Sequence, residues 1–262
     1  MLRSMTDLKG FTIGATDGDM GHVEAFYFDD TSFTVRHLVV KTAGWLSGRK
    51  VLVSPIALRD VDWDGRRINV ALSKTQVEQS PPIDAEEPVS RQQEVEYYGY
   101  YGYPFYWAGP YLWGAYQYPV PPTGARSSLE QEERPASWSE RKDGDPHLRN
   151  SGNVIGYHIA ATDGDIGHVE DFLVDDTTWA IRYMVVDTSN WWFGKKVLVS
   201  PGWIAGVDWN DSKLHVDMTR EQIKNAPEYD PSELPRREYE MRLYDYYGRP
   251  GYWKDEAPTR RR

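Results

Sequence analysis

The sequence predicts a mainly β protein with two small antiparallel β-barrels, each followed by a short helix and an aromatic helical arm. Three observations lead to this fold class. The chain contains a long internal repeat, its apolar residues fall in short segments between turn signals, and aromatic residues recur after each set of strands. A length of 262 residues fits one or two domains.

The repeat is visible at an offset of 146 residues. Ala15 to Glu24 reappears as Ala161 to Glu170 with one substitution, and about 33 of the 74 positions from Phe11 to Asp84 match their counterparts. The chain is therefore a tandem duplication. The predicted segments are a first barrel at 8–84, a first arm at 85–107, a linker at 108–153, a second barrel at 154–230, a second arm at 231–253 and a basic tail at 254–262.

Each copy carries six strand signals. In the first copy they lie at residues 11–13, 21–28, 34–40, 50–53, 57–63 and 67–72. Asp17-Gly18 and Asp64-Gly65 predict hairpin turns, and a break in alternation between Val23 and Phe26 predicts a bulge. Six short strands whose edges must be hidden favour a small barrel.

Helix signals follow the strands. Ser73 is a cap for a short helix at 74–79, which Pro81 ends. In the second arm, Tyr239, Leu243 and Tyr246 fall at helical spacing before Gly248, and we expect this arm to dock within the chain because so short a helix is marginal alone. The docking surface is left open: its own barrel, the other barrel or another molecule.

The motifs of each copy form a recognisable set. In the first copy they are Asp17 to Val23, Asp29-Asp30, Val35 to Val40, Gly48 to Pro55 and Val61 to Trp63. The second copy repeats them at residues 163–169, 175–176, 181–186, 194–201 and 207–209. With this set, each copy resembles a PRC-barrel domain, the module named for the cytoplasmic part of the photosynthetic reaction centre H subunit. The resemblance implies a barrel of about six strands and a role in macromolecular assembly. Relatives occur in the reaction centre and in a ribosome maturation factor, and the resemblance carries over no catalytic residues.

Composition excludes several classes of protein. A formal charge of −10 disfavours nucleic-acid binding, because a phosphate backbone would be repelled. Cysteine is absent, which excludes disulfides and thiolate chemistry. No apolar run is long enough to span a bilayer and the N-terminus lacks a signal-peptide pattern, so we expect a cytoplasmic protein.

Two groups of residues are weak candidates for metal binding. Asp17 and Asp19 lack the spacing of a calcium loop, and the hairpin turn alone explains them. His22 and Glu24 share one strand face, as do His168 and Glu170, but each pair needs a further ligand to complete a zinc site. We therefore predict no metal and no cofactor. Nothing resembles a nucleophile elbow, a phosphate loop or a metalloprotease helix, so we expect no enzyme.

Aromatic residues are the candidates for an interaction surface. They are Trp45, Trp191, Trp192 and Phe193 in the loops before the fourth strand, and Tyr239, Leu243 and Tyr246 in the second arm. The loop aromatics also suit a structural role in covering the open end of a small barrel. The chain as a whole is too acidic for easy attraction to anionic lipid.

The leading functional hypothesis is a non-enzymatic scaffold or adaptor for protein assembly, with the barrels paired as a pseudo-dimer inside one chain. Its protein partner is not identified, and self-association and peripheral membrane contact stay open. One alternative is a module that binds a small molecule or metal ion between the barrels. The other is a peripheral component of a reaction-centre-type membrane complex, although the chain lacks the spanning helix of the H subunit.

Overall fold

The computed structural model describes residues 1–42, 44–46, 48–82, 88–122, 146–188 and 195–254. They belong to two compact units whose limits differ from those of the sequence repeats. Unit 1 consists of residues 1, 3–154 and 174–181, and unit 2 consists of residues 2, 155–173 and 182–262.

The described elements up to residue 122 contain eight strands and three helices. In chain order they are β1 (Leu2–Ser4), α1 (Met5–Leu8), β2 (Thr12–Ala15), β3 (Gly18–Asp29), β4 (Thr34–Thr42), β5 (Lys50–Val53), β6 (Leu58–Asp62), β7 (Arg67–Val70), α2 (Lys74–Glu78), β8 (Val89–Ser90) and α3 (Arg91–Tyr101). The main sheet of unit 1 has the order β5-β4-β3-β2-β7-β6. Its pairs are antiparallel except β2 and β7, which are parallel.

The described elements from residue 146 onward occur in a similar order. They are β9 (Pro146–Asn150), α4 (Ser151–Val154), β10 (His158–Ala161), β11 (Gly164–Asp175), β12 (Ile181–Asp187), β13 (Lys196–Val199), β14 (Ile204–Asp208), β15 (Lys213–Val216), α5 (Arg220–Asn225) and α6 (Arg237–Tyr247). The strand order of the second sheet is β13-β12-β11-β10-β15-β14. The duplicated sequence therefore gives a duplicated strand order.

The predicted strands, hairpins and bulge of the first copy are confirmed. The ladder between β3 and β4 shifts register between Val23 and Ala25, where the apolar alternation breaks. The helix expected at 74–79 is α2, and Ser73 and Gln76 form a reciprocal capping box at its start.

Barrel closure is not seen, because each main sheet has two open ends among the described residues. In unit 1 the end strands β5 and β6 are separated by a 3-10 turn at Pro55–Ala57. Pro55 has no N–H to donate, and the side chain of Ser54 caps this turn, so the chain leaves the ladder there. The expected closed barrels are thus open, mainly β sheets.

In each unit, a chain segment that follows the main sheet forms a hydrogen bond with one of the edge strands that closure would have hidden. The Tyr97 hydroxyl on α3 donates to the carbonyl oxygen of Leu52 on edge strand β5 at 2.9 Å. In unit 2, the backbone N–H of Tyr229 donates to the carbonyl oxygen of Lys196 on edge strand β13 at 2.9 Å. Both edges gain hydrogen bonds from chain segments that follow the sheet.

The end of the expected linker is ordered as a strand. Residues 146–150 form β9, which pairs with β3 and with β8 in unit 1, and Leu148 is fully buried there. Residues 123–145 of the linker lie outside the described residues. Unit 1 therefore contains a strand that precedes the second copy in the sequence.

Candidate functional site

In unit 1, α3 is anchored by a buried carboxylate that sequence reasoning did not single out. Ser90 caps the helix, and Glu94 in its first turn has no exposed surface. Its oxygens accept from the Tyr106 hydroxyl at 2.9 Å, lie 3.1 Å from Nη1 of Arg91 and lie 2.5 Å from Nε2 of His147. Hydrogen bonds and cations thus compensate for the removal of this carboxylate from water.

A second buried pair lies beside this carboxylate. Arg36 on β4 forms an ion pair with Asp29 at 2.6 Å, and its guanidinium lies 3.6 Å from the centroid of the Tyr106 ring. Burial alone would raise the pKa of Asp29, but Arg36 and the hydrogen bonds from Ser32 outweigh it and hold the pKa below its ordinary value. Arg36 also donates to the carbonyl oxygen of Leu112, which fixes the loop after the arm.

Unit 2 repeats the arrangement around Glu240, the residue 146 positions after Glu94. The carboxylate of Glu240 is 3% exposed and accepts from the hydroxyls of Tyr183 and Tyr252 at 2.9 and 2.8 Å. Arg237 lies 3.1 Å from its second oxygen. Burial is the largest influence on the pKa of Glu240 and raises it despite these partners. The repeat offset pairs the two acids, and each follows an arginine by one helical turn, but this local pattern does not reveal that they are buried.

A buried position beneath the arms differs between the two copies. Where unit 2 has Tyr183, unit 1 has His37, which is fully buried with both ring nitrogens lacking a hydrogen bond among the described residues. Its ring packs edge-on against Tyr97 at 4.7 Å. Burial, with a smaller effect from Arg36, lowers the pKa of His37 to about 3, so the imidazole is neutral in the folded protein.

Residues 108–118 form an ordered loop, which we name the tyrosine loop. Two isolated bridges, Tyr111 with Gly114 and Trp113 with Tyr116, fold the loop back on itself. Trp113 is 2% exposed and donates its indole N–H to the carbonyl oxygen of Thr178 within unit 1. Tyr111, Tyr116 and Tyr118 are 48%, 46% and 46% exposed. This stretch is the first part of the segment expected as a linker, and the buried tryptophan helps to order it.

A cleft of about 500 Å³ lies between the tyrosine loop and the buried pair. Its walls include Arg91, Trp107 and Tyr111, with Arg36 and Asp29 beneath. The Arg91 guanidinium lies 4.0 Å from the centroid of the Trp107 ring and is paired with Glu94. The described contacts of these polar groups are structural, and they form no nucleophile–base arrangement.

The histidine and glutamate candidates have partners of their own. Glu24 forms an ion pair with Lys50 at 2.8 Å, and Glu170 forms one with Lys196 at 2.5 Å. A lysine ammonium beside each carboxylate opposes the approach of a cation. His22 lies on β3 near Thr12, and His168 lies at the equivalent position on β11. Within the ranges that the structure describes, no group of three or more His, Asp or Glu residues is placed to hold a metal ion.

The paired acids of the first turn have structural partners. Asp17 accepts from the backbone N–H of Lys74 at the start of α2, and Asp19 pairs with Arg67 at 2.7 Å. In unit 2, Asp163 accepts from the backbone N–H of Arg220 in the same way. These turns tie the first hairpin of each copy to its short helix.

The aromatic candidates fall in three kinds of place. Leu243 on α6 is fully buried. The Tyr239 hydroxyl donates to the carbonyl oxygen of Pro227. Tyr246 is 41% exposed, and its hydroxyl donates to the carbonyl oxygen of Gln222. Trp45 lies in a 3-10 turn at Gly44–Leu46. Trp191, Trp192 and Phe193 lie outside the described residues. The expected docking of the arm within the chain is confirmed, and each arm contacts its own sheet.

Comparison with known proteins identifies one part of the chain. The family model described as "PRC-barrel domain" matches residues 149–223. A PRC-barrel domain is therefore present in the second copy. An uncharacterized protein of Deinococcus radiodurans is 40% identical over 79 residues, which are 29% of this chain and 28% of that protein. The chain thus spans under a third of that relative's length.

The family match begins in the last two residues of β9 and covers α4, β10 to β15 and the first turn of α5. It stops before α6, so the helical arm with Glu240 lies outside the family match. No described helix is long and apolar enough to cross a membrane.

Proposed function

We propose that this protein is a non-enzymatic scaffold that carries two PRC-barrel modules in tandem and binds another protein. The second module has the family match, and the first repeats its sequence and strand order. The backbone repeats as well. Phe33 and Trp179 have positive φ at equivalent turns, as do Arg66 and Ser212. These four non-glycine residues have a sparsely populated backbone conformation at matching places, which supports a common module.

The observation that carries the proposal is the tyrosine loop. Three tyrosines at nearly half exposure surround a buried tryptophan, and the loop is held by Arg36 and by Thr178. An ordered loop that presents tyrosines suits protein recognition, because each ring offers apolar area and a hydroxyl with little loss of side-chain entropy on binding. We assign the partner contact of unit 1 to this loop.

Quantitative affinity purification from the native cell tests the assignment. The bait is the full chain, compared with a triple variant, Tyr111→Ala, Tyr116→Ala and Tyr118→Ala, and with Met241→Ala, which removes a side chain that is 50% exposed. We expect a defined set of proteins to be lost with the triple variant and kept with Met241→Ala. Equal capture by all three baits would contradict the role of the loop.

Metal binding at the predicted residues is not favoured by the contacts of the described residues. The candidate carboxylates Glu24 and Glu170 are paired with lysines. The scaffold is therefore proposed ahead of a metal-binding module.

A further inference from the structure

Strand β9 joins unit 1 through a short ladder of backbone pairs. Its register gives three residue pairs with β3 and two with β8. Leu148 is buried, and Ser151, which follows the strand, accepts from the backbone N–H of Phe26. A strand with so few ladder partners can open locally without unfolding of the sheet, so side chains at its ends influence its attachment strongly.

His147 is the side chain that joins this strand to the arm. Its Nε2 lies 2.5 Å from Oε2 of Glu94 on α3 and 3.2 Å from the Tyr106 hydroxyl, and the His147 side chain is 13% exposed. The backbone carbonyl oxygen of His147 accepts from the N–H of Asp30, the residue after β3, at 3.0 Å. One residue thus links β9 to α3 and to the main sheet.

Two acidic groups of the described residues lie near the imidazole. Glu94 belongs to α3, and Asp30, the residue after β3, interacts electrostatically with His147. Each carboxylate already has an arginine: Arg91 for Glu94 and Arg149 for Asp30, at 3.1 and 2.9 Å. The other nearby cation, Arg36, is paired with Asp29. Among these described groups, the imidazole is the one whose ordinary pKa, about 6.5, lies near neutral pH.

We propose that His147 is a pH-sensitive latch: protonation of its imidazole tightens the attachment of β9 to unit 1, and loss of the proton loosens it. When β9 is attached, the imidazolium lies against a buried carboxylate. When β9 is detached, the imidazolium is in water. The attached state therefore binds the proton more tightly, and by linkage the proton strengthens attachment. A neutral imidazole still donates one hydrogen bond to Glu94, so the latch weakens rather than opens fully.

The second copy offers an internal comparison. Its acid, Glu240, takes hydroxyl donors from Tyr183 and Tyr252. The residue 146 positions before His147 is Met1, whose side chain does not titrate. Within the described part of the chain, the duplicated acid therefore has a side-chain partner that titrates near neutral pH in unit 1 and not in unit 2.

Two measurements on the full-length protein test the latch. The first is an NMR titration of the His147 ring, for which we expect a midpoint above the ordinary histidine value of about 6.5. The second is amide hydrogen exchange of Asp30, expressed as a protection factor. We expect protection to fall about sixfold from pH 6 to pH 8, which corresponds to an upward shift of one pKa unit from about 6.5. Protection of the Thr12 amide, bonded to the carbonyl oxygen of Arg66, should stay constant.

Variants separate the charge from the hydrogen bond. His147→Gln keeps a donor but cannot be charged, so Asp30 protection should be the same at both pH values. Glu94→Gln should lower the titration midpoint of His147, and His215→Gln, at an exposed histidine, should change nothing. A midpoint at or below 6.5 in the wild type, constant Asp30 protection, or a pH dependence that survives in His147→Gln would each overturn the proposal. The wild-type measurements decide even if a variant does not fold.

Discussion

His37 shows how much one side chain depends on its surroundings. The same sheet position holds a hydrogen-bonded tyrosine in unit 2, whereas in unit 1 it holds an imidazole that is enclosed by aromatic rings and without hydrogen bonds among the described residues. Burial excludes the charged form, so folding displaces a proton that the unfolded chain binds below about pH 6.5. Stability from this site is complete at high pH and is lost as the pH falls toward the folded-state value of about 3.

Replacing His37 by Phe should remove this loss of stability at low pH. At pH 8 we expect wild type and variant to differ only through packing. On going to pH 5, the wild type should lose about 2 kcal/mol more of its free energy of unfolding than the variant. Urea unfolding of both proteins at the two pH values measures this difference. An equal pH dependence in both proteins would show that His37 does not titrate on unfolding.

Gly21 and Gly167 are required by a close backbone approach. A Cβ on Gly21 would lie 2.1 Å from the carbonyl oxygen of Lys41, and one on Gly167 would lie 2.1 Å from that of Asp187. Because backbone atoms cannot move aside as a flexible side chain can, we expect Gly21→Ala or Gly167→Ala to cost at least about 2 kcal/mol of stability. Gly44→Ala, where a Cβ would contact nothing, is the matched control in thermal unfolding.

The elements that could be predicted from sequence are those with local signals. Hairpin turns, the bulge at Val23 and Ala25, the capping box of α2 and the arm ending at Gly248 all follow from short patterns. Strand β9 has no such pattern. Its order comes from pairing with β3, more than 115 residues earlier in the chain, which local reasoning does not detect.

The candidate site was predictable only in part, for the same reason. Buried acids such as Glu94 look like ordinary polar helix residues until the partners from distant segments are known. Closure was expected because edges need protection, yet the Tyr97 hydroxyl protects an edge in another way. Patterns identify strands, whereas the way in which edges are covered depends on tertiary contacts.

The arm helix α6 should contribute directly to the stability of unit 2. Leu243 is fully buried in it, so Leu243→Ala should lower the free energy of unfolding by about 2–4 kcal/mol. Met241→Ala on the same helix removes a half-exposed side chain and should change it by less than about 0.5 kcal/mol. Denaturant titration of both variants gives the comparison. Equal stability of the two would mean that the arm does not hold the sheet.

At the scale of the molecule, the structural units do not coincide with the sequence repeats. Unit 1 includes residues 146–154, nearly all of which belong to the expected linker, and residues 174–181 of the second copy. Within it, the N–H of Ile181 donates to the carbonyl oxygen of Phe33, and that of Val35 donates to the carbonyl oxygen of Trp179. The first sheet is therefore completed by chain that belongs to the second copy.

Leu148→Ala tests this division of the chain. Leu148 is fully buried in unit 1, and we expect the variant to lose about 2–4 kcal/mol with faster amide exchange in β3. Leu234→Ala, at a leucine that is 38% exposed, is the control. If Leu148→Ala left exchange in β3 unchanged, β9 would not be an integral part of unit 1.

The composition of unit 1 also has a consequence for biosynthesis. Domains usually fold as they leave the ribosome, the N-terminal one first. Here the first unit lacks its last segment until residue 181 has emerged from the exit tunnel. A nascent chain that stalls within the linker would expose the edge of β3 to which β9 belongs, and unit 1 would be finished only after part of the second copy had been translated.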